Sequence, residues 1–115
     1  MFSRDNLKRT IKKPECGIIN LDDTIGSGKH WVCYYNTYYF DPFGMPPTVE
    51  VIRYIKDVQY NDIQYQDTKS VLWGYYCLYF LKRLNDRFKI YDILYKDFDY
   101  KSPIKNENMI KQFFI

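Results

Sequence analysis

Apolar and polar positions alternate most clearly over HWVCYYN (30–36) and TYYFD (37–41), where β-branched and aromatic residues crowd a period of two. Asn36-Thr37 supplies a two-residue turn, so the two runs predict a hairpin with Tyr35 facing Tyr38. ECGIINLDD (15–23) reads as a further strand ending in acidic turn residues, and Asn61 to Gln66 as another short one. The strongest helical period runs from Leu72 to Arg87. There Trp73, Cys77, Leu81 and Leu84 share one stripe, flanked by Tyr76 and Phe80. PFGMPP (42–47) breaks the strand before it, and Pro47 suits the first turn of a helix through TVEVIRYIK (48–56). A last amphipathic helix is predicted from Lys105 to Phe114. Residues 1–14 form a polar, basic arm or short helix, and TIGSGK (24–29) is a glycine-rich loop without the Lys-Ser/Thr ending of a phosphate-binding P-loop. Strands in hairpin order with helices outside them predict an α+β fold, a small antiparallel sheet packed against helices. With no internal repeat and no linker, residues 1–115 form one domain.

Composition changes this picture little. Hydrophobic residues make up 46% and charged residues 27%, an ordinary globular balance. Thirteen tyrosines accompany abundant Lys, Asn, Ile and Phe, which a nucleotide bias in the coding sequence explains. A net charge of +3 is too small to argue for nucleic acid, and Lys8, Arg9, Lys12 and Lys13 read as a solvated terminus. Nucleic acid is therefore a weak partner candidate. No run approaches the roughly 18 apolar residues of a membrane span, and the N-terminus lacks the apolar core of a signal peptide. Three widely spaced cysteines, Cys16, Cys33 and Cys77, make no disulfide framework and suit a reducing, intracellular compartment. His30 and Cys33 are three apart on a strand and point to opposite faces, so no metal and no cofactor are expected.

The hairpin register carries the candidate chemistry. With the turn at Asn36-Thr37, Asp41 falls opposite Val32, and His30 lies two residues along on Val32's face. Such diagonal neighbours are roughly 7–8 Å apart, within reach of an imidazole and a carboxylate. A shift of one residue would send them to opposite faces. A lone His beside an aromatic strand is commonly a half-buried core residue. A same-face Asp changes the balance, because a carboxylate on one imidazole nitrogen fixes the tautomer of a catalytic histidine.

The ordered set G-K-H-W, then Y-Y-F-D-P-F-G, then Gln66 seven residues before a position that precedes a glycine and opens a helix, resembles the adenain-like cysteine proteases. That family includes the adenovirus maturation protease and relatives in large DNA transposons and related viruses, and belongs with the ubiquitin-like-protein proteases. The resemblance covers about residues 15–84. It implies a papain-like core and endopeptidase activity on viral or transposon structural precursors. It also implies an intracellular setting, in host cytoplasm or nucleus, or in the virion. By motif, His30 is the general base, Asp41 orients it, Gln66 helps form the oxyanion hole, and Trp31 and Gly74 border the substrate groove.

The position of the family's nucleophilic cysteine is Trp73. An indole offers one N–H donor and no nucleophile, and its bulk fills the space where a scissile bond would lie. Cys77, one turn along on the apolar stripe, is expected to be buried and inert, and Cys16 and Cys33 have no motif role. The resemblance therefore implies a protease domain inactive in this copy. The other reading is a retained binding module for a protein or nucleic acid partner.

Overall fold

In the computed structural model, which describes residues 15–21 and 30–114, the Asn36-Thr37 turn joins β2 (Trp31–Tyr35) to β3 (Tyr38–Phe40). Asn36 takes left-handed backbone (φ 54°), which asparagine tolerates better than most residues. Tyr35 pairs with Tyr38, Tyr34 with Tyr39 and Cys33 with Phe40, the register the alternation predicted. β1 (Cys16–Asn20) runs antiparallel along the other side of β2, with Cys16 opposite Tyr35 and Asn20 opposite Trp31. The arm expected at 1–14 and the glycine loop at 24–29 lie outside the described residues.

The fourth strand corrects the sequence reading. It is Gln59–Tyr60 (β4), upstream of the expected Asn61–Gln66, and it pairs parallel with β3, so the sheet is mixed, in the order β1-β2-β3-β4. Residues 61–66 are not a strand because their polar groups are committed to the turn after β3. Tyr65 and Gln66 both donate backbone N–H to the carbonyl of Pro42, at 2.7 and 2.9 Å. Gly44, at φ +74°, approaches the backbone of Ile63 so closely that a Cβ would lie 2.7 Å from its carbonyl carbon.

Both faces of the sheet are covered. Val32, Tyr34 and Tyr39 meet Val51 and Ile55 of the α1 region on one side (α1, Val49–Tyr54, capped by the Thr48 hydroxyl). Cys33 and Phe40 face the larger core on the other side, built around Tyr76, Cys77 and Phe80 of α2 (Trp73–Asn85). Phe40 stacks on Phe80 with centroids 4.3 Å apart and rings nearly parallel. The chain then makes a helical turn, α3 (Ile90–Asp92), which widens into a π-helical turn at Ile93–Asp97, and ends in α4 (Pro103–Phe114). The α+β class thus holds, with α1, α2 and α4 each close to the predicted segments.

Asn106 ties α4 to the rest. Fully buried, it accepts the backbone N–H of Asp99 (2.6 Å) and donates to the carbonyls of Asp99 (2.8 Å) and Tyr65 (3.0 Å).

Candidate functional site

His30 and Asp41 lie where β2 and β3 stop, at the open end of the hairpin away from the Asn36 turn. His30 is anchored through its carbonyl, which accepts the N–H of Leu21 (2.8 Å). Its imidazole Nε2 lies 2.9 Å from Asp41 Oδ1, so the pair expected from register is hydrogen-bonded. The imidazole side chain is 17% exposed and the carboxylate 1%. With Nε2 held by the carboxylate, Nδ1 is the ring nitrogen left for another partner.

The turn that presents Asp41 is a unit of its own. Asp41 Oδ1 also accepts the N–H of Phe43 (2.8 Å), an Asx turn, and Gly44 donates N–H to the Asp41 carbonyl (2.8 Å). Asn61 closes it from the other side. Its Oδ1 accepts the Asp41 N–H (3.0 Å), and its Nδ2 donates to the carbonyls of Asp41 (2.6 Å) and Ile63 (3.2 Å). Sequence reasoning passes over Asn61, which carries no motif and sits in an apparent strand. Asp41 Oδ2 is buried without a hydrogen-bond partner among the described residues. Nearby Tyr39 is no second acid: burial first, and the Asp41 charge second, push its phenol well above the ordinary range.

Trp73 is the first residue of α2, and its ring stands 4.9 Å from the His30 imidazole and 4.2 Å from Phe43, centroid to centroid. The nucleophile position of the motif and the motif's base are thus brought together, with Phe43 packed against the indole as a third member. No side chain caps this end of α2, and its first turn holds no acidic residue, so the positive end of the helix dipole is uncompensated there. Gly74 has open space around the position of a Cβ. Trp31 packs partly buried against the core on the α2 side, and its carbonyl accepts the Cys77 thiol at 3.5 Å.

Gln66 is fully buried and is not hydrogen-bonded to the pair. Its Nε2 donates to the Ser70 hydroxyl (3.1 Å), which also accepts the N–H of Leu72 just before α2, so Gln66 braces the start of the helix. Its Oε1 is buried without a partner among the described residues. An amide keeps its shape when turned over. In that orientation Oε1 would accept the Ser70 hydroxyl proton but would also face the Ser70 carbonyl oxygen, to which Nε2 now donates at 3.5 Å, so the present bonds favour the amide as it stands.

None of the three thiols lies at the His30–Asp41 pair as a hydrogen-bond partner among the described residues. Cys77 is completely buried, facing the Trp31 carbonyl. Burial, and next the hydrogen bond with Cys77, push the Cys33 thiol well up. Cys16 lies at the far end of the β1–β2 ladder, four residues or about 13 Å from the level of Trp31. Among the described residues no group of three His, Cys, Asp or Glu could hold a metal ion, and no helix is long and apolar enough to cross a membrane. No protein-family model, curated protein or solved structure matches this chain.

Proposed function

We propose that the chain is a papain-like cysteine-protease domain of the adenain-like kind that has lost its nucleophile and holds peptide without cleaving it. One observation carries this reading: residues far apart in sequence bring an imidazole, held by a buried carboxylate, to 4.9 Å from the side chain that opens α2. A thiol at position 73 would sit at the positive end of a helix, on the side of it where the present indole meets the imidazole, and these are the two influences that stabilise a thiolate. Asp41 on Nε2 leaves Nδ1 to take the thiol proton and later to return it to the leaving amine. The resemblance would make Gln66 the donor to the oxyanion, a role that requires its amide to leave Ser70. Trp73 prevents the first step, because nothing at that position can attack a carbonyl carbon.

A peptide ligand suits the charge better than nucleic acid. The full chain carries a net charge of only +3, too weak a field to favour phosphates. Intact relatives process viral or transposon structural precursors inside the host cell or the virion, and a segment of such a precursor is the ligand this reading assigns.

The test is Trp73→Cys. The unmodified chain should hydrolyse no peptide carrying an adenain-type cleavage sequence. The variant should hydrolyse it and be labelled at position 73 by a thiol-directed inhibitor. Trp73→Ala opens the same space without a thiol and should bind peptide but not cleave it. Removing a half-buried Trp costs on the order of 3–5 kcal/mol if it leaves a cavity, so each variant is compared after circular dichroism shows it folded. A folded Trp73→Cys chain that is neither labelled nor active overturns the proposal, as does peptidase activity in the unmodified chain.

A further inference from the structure

We infer that Asn61 is a positioning residue for the His30–Asp41 pair: it holds the aspartate's backbone so that Oδ1 stays on the imidazole. Asn61 is 5% exposed and spends its amide on Asp41 from both sides, accepting the N–H at 3.0 Å and donating to the carbonyl at 2.6 Å. Asp41 follows the last residue of β3, where the ladder with β2 no longer supplies partners for its backbone. The Asn61 amide replaces the missing strand. Its remaining bond, to the Ile63 carbonyl at 3.2 Å, fixes the amide against the segment that packs on Gly44. Rotation of Asp41 about its backbone would carry Oδ1 away from both the imidazole and the Phe43 N–H.

The inference rests on the proposed function where it concerns catalysis, but the hydrogen bond it explains is present in the unmodified chain whether or not it cleaves peptide. His30 is the only histidine of the sequence, so imidazole resonances in a nitrogen-labelled sample belong to one ring. An Nε2–H donated to a buried carboxylate exchanges slowly with water and gives a separate downfield proton signal. Asn61→Ala should abolish that signal in the folded chain. Asn106→Ala is the control, since it removes an amide that clasps the Asp99 backbone with the same pattern of bonds and reaches the 61–66 segment only at the Tyr65 carbonyl, so it leaves both Asn61 bonds to Asp41 in place and should keep the signal.

Retention of the signal in Asn61→Ala, or its loss in both variants, overturns the inference. Where Asn61→Ala does not fold, the isosteric Asn61→Asp is read instead. It keeps the acceptor for the Asp41 N–H but turns the donor into a second acceptor, so it too should lose the signal, and retention there is equally fatal. In the Trp73→Cys background, Asn61→Ala should lower kcat on the order of 10²-fold with KM little changed, the effect of a small misplacement of the base. An inert Trp73→Cys chain alongside the expected resonance pattern would sink the proposed function and leave Asn61 its role.

Discussion

Asn61 and Asn106 occupy unrelated stretches of sequence, yet each closes on an aspartate in the same way. Both side-chain oxygens accept that aspartate's N–H, and both amide nitrogens donate to its carbonyl and to one carbonyl more. The two carboxylates then diverge. Asp99 accepts the Lys101 N–H at 2.8 Å and lies 3.8 Å from the Lys105 ammonium, local contacts at a surface where its side chain is 36% exposed. Asp41 is wholly buried, with one oxygen shared between an imidazole and the Phe43 N–H and the other without a partner among the described residues. One backbone device thus serves two ends. Around Asp99 it fastens a helix, while around Asp41 it aims a charge at the one histidine.

The largest difference between the two should come from deleting the carboxylates. Asp41→Ala leaves a buried N–H and an imidazole without their acceptor, costing about 2–3 kcal/mol. Asp99→Ala loses an exposed ion pair and one turn bond, about 1 kcal/mol. Urea unfolding of the two variants checks this, and equal midpoints would dissolve the contrast.

A smaller effect isolates the turn. Gly44 has φ +74°, and a methyl there would lie 2.7 Å from the Ile63 carbonyl carbon and oxygen, both backbone atoms that cannot swing away. Gly44→Ala should cost about 2 kcal/mol from left-handed backbone and crowding together. The Asp99 turn has no left-handed residue to match it. If Gly44→Ala unfolds at the denaturant concentration of the unmodified chain, the 41–44 and 61–66 segments are less tightly interlocked than their geometry indicates.

The hairpin and the His30–Asp41 pair were legible because strand register is a period-two property. Once Asn36-Thr37 is the turn, every facing pair follows, and Tyr35–Tyr38 through Cys33–Phe40 all obey it. The α2 helix was legible for the analogous reason at a period of 3.6, but its buried face is centred on Tyr76, Cys77, Phe80 and Leu84 with Tyr79, while Trp73 and Leu81 of the expected stripe are only partly buried. What escaped is what side chains do to backbone. Asn61 to Gln66 alternates like a strand, but its amide and N–H groups satisfy Asp41 and Pro42 rather than a neighbouring ladder. No period encodes that. The turn at Ile90–Asp92 and the widened one after it escaped for want of length, being too short to show a helical repeat. Gln66 shows the limit of a motif, since the motif assigns it a role at the site while its present bonds run to Ser70 and the start of α2.

The smallest effect separates the structural meaning of Gly74 from its motif meaning. Gly74 sits in the first turn of α2 without left-handed backbone, and nothing lies within 4 Å of the place a Cβ would occupy. On packing grounds the glycine is unnecessary. Gly74→Ala removes conformational freedom from the unfolded chain and suits a helix, so it should raise stability by about 0.5–1 kcal/mol. In the Trp73→Cys background the same methyl projects into open space beside the new thiol. If that space is the substrate groove, Gly74→Ala should raise KM for peptide while the chain becomes more stable, a divergence that a purely structural glycine would not give. Unchanged KM together with the gain in stability would give Gly74 no part in peptide binding.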